Sequence, residues 1–258
     1  MLQFETTKEQ LEKLTNIFSK YSDIRPNPDR NLDQFWATTE TVLRRALLLG
    51  NIPDIDKKQL LFLGDDDLSS VAFAIFFKAK KITVIDIDSR LLQFLKTIAE
   101  NEKLPIETFE HDLKNPLPSQ FKLYDTVFFD PPYTPEALNT WIARAIEATL
   151  GEGSKFKRKK PEFLSQKHYF ACYGYTGKET ERGLKIQKII TSRRLIIQEK
   201  IRDFNLYYKA KSLGFKSDLF LLQPTPKVNI RKLDNIRSQF YTGQKQTKQP
   251  ALKTNITD

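Results

Sequence analysis

The sequence predicts an α/β fold, a seven-stranded, mostly parallel sheet with helices on both faces, preceded by a short helical N-terminal segment. Three observations predict it. Beyond about residue 51, short apolar runs alternate with longer amphipathic stretches, the pattern of successive βαβ units. Four of the runs end in aspartate, which gathers polar groups at one end of the sheet. The last two runs follow each other closely and stop at Pro224.

Residues 6–20 and 33–50 carry apolar side chains at helical spacing, first Leu11, Leu14 and Phe18, then Phe35, Val42, Ala46 and Leu49. Between them, Ile24-Arg25-Pro26-Asn27-Pro28-Asp29 reads as a turn, because each proline restricts the residue before it. Residues 1–50 are thus a helical N-terminal segment. Strands are expected over 59–64, 82–88, 106–112, 125–130 and 168–175, and helices over 68–80, 89–101 and 135–150. A helix over 178–194 then leads to strands over 195–202 and 217–223, completing a domain over residues 51–224. Residues 225–258 lose apolar periodicity and gain Lys, Gln, Thr and Asn, so they are expected to form a basic, partly disordered tail that adds little to the core.

A chain of 258 residues, 40% hydrophobic and 29% charged, has the size and composition of one principal globular domain. Its longest apolar stretch, 71–77, is far short of the roughly 18–20 residues that span a bilayer, so no membrane partner is expected. No basic stretch and apolar segment follow Met1 as in a secretory leader, and a single cysteine, Cys172, suits a reducing compartment. A cytoplasmic location is the resulting expectation. The net charge of +10 is local. Lys155, Lys157, Arg158, Lys159 and Lys160 form one basic run, and residues 225–258 hold seven basic against two acidic side chains, which together account for the excess. The charge therefore describes a loop and a tail, read first as solvated surface and second as a contact for nucleic acid.

Ligands of open α/β sheets bind outside the carboxyl ends of the strands. Here those ends read Gly64-Asp65-Asp66-Asp67, Asp86-Ile87-Asp88, His111-Asp112 and Asp130-Pro131-Pro132-Tyr133. Clustered carboxylates raise one another's pKa unless a cation sits among them, so a cationic ligand is expected. Asp86 lies 22 residues after Gly64, close to the spacing at which an acid on the second strand of a Rossmann-like fold binds ribose hydroxyls. With no G-x-G-x-x-G in the first turn, a nucleoside without a pyrophosphate fits better than a dinucleotide. Three adjacent aspartates would repel the carboxylate of S-adenosylmethionine and attract the lone ammonium of its decarboxylated form, which favours aminopropyl transfer. The prolines after Asp130 stiffen their loop and remove backbone donors, leaving a carboxylate and a carbonyl towards an acceptor amine. A divalent metal at Asp65-Asp66-Asp67 competes with this reading, and oxygen ligands alone would suit magnesium. His111 and His168 show no ligand spacing, and no metal is assigned.

Asp33-Gln34 through Thr41, Arg44-Arg45, Leu63-Gly64-Asp65-Asp66-Asp67-Leu68-Ser69-Ser70 and Asp130-Pro131-Pro132 together resemble the branched-chain polyamine synthases, the N4-bis(aminopropyl)spermidine synthases. Asp203-Phe204-Asn205-Leu206-Tyr207, before the final strand, is similar to that family as well, so the resemblance runs from about residue 33 to 224. It implies the sheet of class I methyltransferases and aminopropyltransferases, with the seventh strand inserted antiparallel. It also implies transfer of aminopropyl groups from decarboxylated S-adenosylmethionine to a polyamine such as spermidine, giving branched polyamines and methylthioadenosine. By position, Gly64, Asp65, Asp86 and Asp112 would hold the nucleoside. Asp66, Asp67 and Asp130 would be the catalytic acids facing the propylamine and polyamine, and Pro131, Pro132 and Tyr133 would bind substrate. A homodimer is compatible with this reading. The rival is an S-adenosylmethionine-dependent amino-methyltransferase acting on nucleic acid, with Tyr133 stacked on the base and the basic loop 155–160 on phosphates.

Overall fold

The alternation of apolar runs and amphipathic stretches resolves into one sheet. The computed structural model describes residues 4–151, 160–175, 179–208, 216–231, 233, 236 and 240–242. Its strands are β1 (Gln59–Leu63), β2 (Lys81–Asp86), β3 (Ile106–Glu110), β4 (Thr126–Phe129), β5 (His168–Tyr173), β6 (Leu195–Leu206) and β7 (Lys216–Pro224). They lie in the order β3-β2-β1-β4-β5-β7-β6, with β1 to β5 parallel and β7 antiparallel to both of its neighbours. This is the Rossmann-like, mostly parallel seven-stranded sheet the sequence predicts.

The chain runs outward from β1 to β3 and returns to place β4 on the other side of β1, so β1 and β4 flank the switch point where open α/β sheets bind ligands. Leu63 pairs with Phe129 at their carboxyl ends, and the loops that follow, from Gly64 and from Asp130, are therefore neighbours. Both strands are covered on both faces, which is why they read as continuous apolar runs. Alternate residues serve opposite layers. Leu60 and Phe62 pack with Leu14, Leu43 and Phe73, whereas Leu61 and Leu63 pack with Ile142, Ile146 and Ile186.

The first layer contains α1 (Lys8–Lys20), α2 (Thr39–Gly50), α3 (Ser69–Phe76) and α4 (Ser89–Asn101), and the second contains α5 (Pro135–Leu150), α6 (Pro161–Leu164) and α7 (Thr180–Ser192). The helical N-terminal segment thus shares a core with β1 and β4. Local chemistry starts several of these helices. Thr7 and Gln10 form a reciprocal capping box on α1, Asp88 caps α4, and Thr134 caps α5 just before Pro135.

Several boundaries differ from the sequence expectation. The helix expected over 33–50 begins at Thr39, because Asp33 takes a left-handed φ of 56° and the Thr38 hydroxyl accepts the Thr41 amide. The helix expected to reach residue 80 ends at Phe76, and Phe77 is extended. Strand β6 continues to Leu206 through two shifts of register. The largest correction concerns the tail. Val228, Phe240 and Tyr241 are buried in the second layer, with Phe240 against Trp141 at 5.2 Å between ring centroids and its carbonyl accepting from the Thr134 hydroxyl at 2.8 Å. Isolated anchors of this kind carry no periodicity, so the pattern that locates helices and strands passes over them. Residues 155–159 of the basic run and residues 243–258 lie outside the described residues. Among the described residues, no helix is long and apolar enough to cross a membrane.

A buried aromatic anchor makes Phe240 and its described neighbours part of the folding unit. Phe240→Ala is expected to lower the unfolding free energy by about 3–5 kcal/mol. Urea denaturation followed by circular dichroism measures it, and an unshifted midpoint would return residues 225–242 to the status of an appendage.

Candidate active site

Three consecutive aspartates leave the end of β1, and the backbone sends them three ways. Gly64 has a φ of 73°, which only glycine adopts without strain, and so turns the chain sharply off the strand. Helix α3 begins after Leu68, whose side chain cannot cap it. Asp65 supplies the cap from upstream, one carboxylate oxygen accepting the Ser69 amide at 2.7 Å and the other the Ser70 amide at 3.1 Å and the Ser70 hydroxyl. Asp67 turns the other way. One of its oxygens accepts the Ala37 amide, and the other meets the Arg45 Nη1 at 2.6 Å. Asp66 remains between them, and its Oδ2 is buried with no hydrogen-bond partner among the described residues.

Arg45 comes from α2 and is 1% exposed. Besides Asp67, it donates from Nη2 to Asp130 Oδ2 at 2.8 Å, joining the loops after β1 and β4. Asp130 Oδ2 also accepts the Tyr207 hydroxyl at 2.6 Å, and Oδ1 accepts the Tyr133 hydroxyl at 3.3 Å. Tyr133 is buried, with its ring stacked on Tyr173 at 5.1 Å. A second arginine serves the same turn. Arg25 donates from Nη2 to the Asp66 carbonyl at 2.6 Å while stacking over Trp36.

At the end of β2, Asp86 accepts the Asp88 amide at 2.8 Å and the Asp65 amide at 3.3 Å. Asp88 is taken up by Arg90 at 2.7 Å and by Gln34 at 3.1 Å. At the end of β3, Asp112 closes its own turn by accepting the Lys114 amide at 2.9 Å.

Two clefts open above these strand ends. The larger spans about 500 Å³, part of it open to solvent, and is walled by Gly64, Asp66, Asp86, Asp130, Pro132 and Trp141, with Asp33 and Tyr241 also at its rim. The smaller, about 270 Å³, is walled by Phe35, Asp66, Asp130, Pro131, Tyr133 and Tyr207. Asp33, Asp66 and Asp130 belong to both, and among the described residues no lysine or arginine lines either one. Burial pushes the carboxyl groups up, Asp86 and Asp130 to about 6 and Asp65 to about 7. Asp66 is also raised by burial, with the neighbouring Asp67, Asp130 and Asp86 adding repulsion. For Asp130 the Arg45 guanidinium works against burial. Among the described residues, no three His, Cys, Asp or Glu side chains are grouped to hold a metal ion.

Of the residues singled out in the sequence, Gly64, Asp66, Asp86, Asp130, Pro131, Pro132 and Tyr133 line the clefts. Asp65, Asp67 and Asp112 do not, because each is committed to a cap, an ion pair or a turn. The expectation that a ligand must neutralise the acids is corrected accordingly, since Arg45 already answers Asp67 and Asp130. Sequence reasoning missed Arg45, Tyr207, Trp141 and Tyr241 as parts of the site. For Arg45 there was a signal: it stands three residues after Val42 and beside Ala46 on the apolar stripe of α2.

Residues 13–254 match the family described as the branched-chain polyamine synthase A C-terminal domain. The chain is 34% identical over 237 residues to an uncharacterized protein of Methanocaldococcus jannaschii, covering 91% of this chain and 56% of that protein. It is 34% identical over 205 residues to the N(4)-bis(aminopropyl)spermidine synthase of the same organism, covering 76% of this chain and 54% of the relative. The chain thus spans about half the length of the curated relatives it matches. The crystal structure of the branched-chain polyamine synthase from Thermus thermophilus in complex with N4-aminopropylspermidine and 5'-methylthioadenosine has a TM-score of 0.73 at 24% identity, over 90% of this chain and 68% of that one, which is a likeness of fold.

The raised carboxyl groups link the site to stability. Asp65, Asp66, Asp86 and Asp130 keep their protons to higher pH in the folded chain than in the unfolded one, where an aspartate titrates near about 4. For Asp65, Asp86 and Asp130 the contribution to stability is therefore full below about pH 4 and is lost as pH rises through about 6 to 7, and Asp66 acts in the same direction. Denaturant titrations across that range are expected to show the decline and to show it flattened in Asp86→Asn. An equal slope in the wild type and that variant would mean that Asp86 is not desolvated.

Proposed function

From its membership of the branched-chain polyamine synthase A C-terminal domain family, to which this chain belongs, we propose that it transfers aminopropyl groups from decarboxylated S-adenosylmethionine to an amine of a polyamine such as spermidine. The observation that carries the reading is the acidic wall, in which Asp33, Asp66, Asp86 and Asp130 line the larger cleft and, among the described residues, no lysine or arginine joins them. Arg45 answers Asp130 from behind, and the remaining carboxylates of the wall, partly withdrawn from water, are held ionised by an approaching cation. A donor ending in an ammonium supplies one, whereas a donor that also carries a carboxylate adds to the repulsion.

Each part of the donor and acceptor has a suited partner. Asp86, which lines the larger cleft at the end of β2, is the residue proposed to accept the ribose hydroxyls. Asp66, with an oxygen that has no hydrogen-bond partner among the described residues and a place in both clefts, suits an ammonium at their junction. The smaller cleft combines the rings of Phe35, Tyr133 and Tyr207 with carboxylates, a lining fit for the methylenes and ammoniums of a polyamine.

The reaction is an in-line displacement at the carbon beside the sulfonium. Methylthioadenosine departs without needing a proton, while the attacking amine must be neutral. Asp130, pushed up to about 6 and held at one oxygen by Arg45 and Tyr207, is the residue proposed to accept the proton of the attacking nitrogen. Asp67 contributes through Arg45, which it shares with Asp130. Because the sulfonium is already activated, alignment of the reactants supplies most of the rate. Methylation of a nucleic-acid base is less well served. The Tyr133 ring that would stack on the base is buried with one face on Tyr173, and its hydroxyl is engaged by Asp130 and Tyr207.

The donor preference tests this reading directly. In parallel calorimetric titrations the decarboxylated donor is expected to bind about tenfold to a hundredfold more tightly than intact S-adenosylmethionine, the effect of roughly 1–3 kcal/mol from one unfavourable charge contact. Mass spectrometry of a reaction with spermidine is expected to show aminopropylated product and methylthioadenosine. Equal or tighter binding of the intact form would promote the methyltransferase reading.

A further inference from the structure

We propose that Arg45 is a positioning residue for this reaction, holding Asp67 and Asp130 in one arrangement so that a single oxygen of Asp130 is presented to the acceptor amine. The proposal rests on the aminopropyl-transfer reading above and assigns a role to a side chain outside both clefts.

An arginine has five N–H donors, and all five of Arg45 are used. Nε donates to Asn205 Oδ1 at 2.8 Å. Nη1 serves Asp67 Oδ2 at 2.6 Å and Ser69 Oγ at 3.3 Å, and Nη2 serves Asp130 Oδ2 at 2.8 Å and the Tyr207 hydroxyl at 3.2 Å. These partners come from the loop after β1, the start of α3, the loop after β4 and the end of β6. A lysine could not reach them together, because its ammonium is a compact point charge without the planar fork.

The consequence falls on Asp130. Its Oδ2 accepts from both Arg45 and Tyr207, which takes up that oxygen, while Oδ1 meets, among the described residues, only the Tyr133 hydroxyl at 3.3 Å and retains capacity for a further donor. Arg45 thus chooses the oxygen that faces the clefts. It also shapes the charge. The groups acting on Asp130 are Arg45 from α2, Asp67 and Asp66 from the loop after β1, Tyr207 beyond β6, Cys172 of β5 and Tyr133 of its own loop. Arg45 is the one cation among them. Without it, burial and two neighbouring carboxylates act on Asp130 against the Tyr207 hydrogen bond and no cation, and its proton is held to higher pH.

Arg45→Lys keeps the charge and loses the fork, Arg45→Gln loses both, and Asn205→Ala frees Nε without altering any charge. Kinetics on the full chain with decarboxylated donor and spermidine are expected to give a kcat more than about tenfold lower for Arg45→Lys, with the donor KM within about threefold of wild type. In Arg45→Gln the acid limb of the kcat profile is expected to move up by about one pH unit, and in Asn205→Ala kcat is expected to fall severalfold at constant KM. Wild-type kcat and pH profile in folded Arg45→Lys and Asn205→Ala would overturn the proposal, as would a raised KM at unchanged kcat. If the Arg45 variants do not fold, Asn205→Ala decides on its own. A wild-type protein that makes no aminopropylated product while binding methylthioadenosine overturns the underlying reading instead, an outcome distinct from any variant effect.

Discussion

The buried Arg45 guanidinium between Asp67 and Asp130 is the interaction on which the site depends. The sheet topology brings the loops after β1 and β4 side by side, and both loops begin with acids. Two carboxylates at such a junction repel, and with little water to solvate them neither stays ionised unaided. One planar cation supplied by α2 lets the loops meet, and every N–H it carries is matched. The cost of burying a charge is offset by a set of bonds that only this geometry completes. The helical segment before the sheet is therefore part of the site's construction, although no residue of α2 lines a cleft.

The aspartates after Gly64 show how a repeated residue acquires different work. Asp65 closes the amino end of α3, Asp66 reaches the clefts and Asp67 pairs with Arg45. Left-handed φ values at Gly64 and Leu68 bracket the turn and spread three adjacent side chains in three directions. In sequence they are equivalent, and electrostatic reasoning that treats them as one acidic patch assigns all three to a ligand. Only the backbone path separates them.

That distinction marks what was legible in the sequence. Strands β1 and β4 were plain because burial on both faces demands unbroken apolar residues, and the strand ends pointed to Asp66, Asp86 and Asp130 because topology alone puts strand ends at a site. Arg45 entered only as part of the resemblance and was given no role, since one cation on an apolar helix stripe looks like an ordinary break in pattern until its partners, up to 162 residues away, are known. The start of α2 was misplaced because the apolar spacing extends back to Phe35, while the Thr38 cap decides where the helix begins. Tail contacts made by single residues such as Phe240 leave no periodic trace at all.

The same limits explain why the fold does not by itself settle the chemistry. Strand ends contribute Asp86 and Asp130, but the rim of the larger cleft comes from segments outside the sheet. Leu32, Asp33 and Gln34 approach from the N-terminal side, and Tyr241 approaches from the C-terminal side. The two segments are fastened to each other, the Thr242 amide donating to Asp33 Oδ2 at 2.7 Å and its hydroxyl to Asp33 Oδ1. Lys114 lies 4.8 Å from the Tyr241 ring centroid and secures the same segment from the loop after β3. A sheet of this kind accommodates many group transfers. What favours the proposed cationic donor and amine acceptor is the lining of its switch point by acidic and aromatic side chains drawn from both sides of the sheet in sequence.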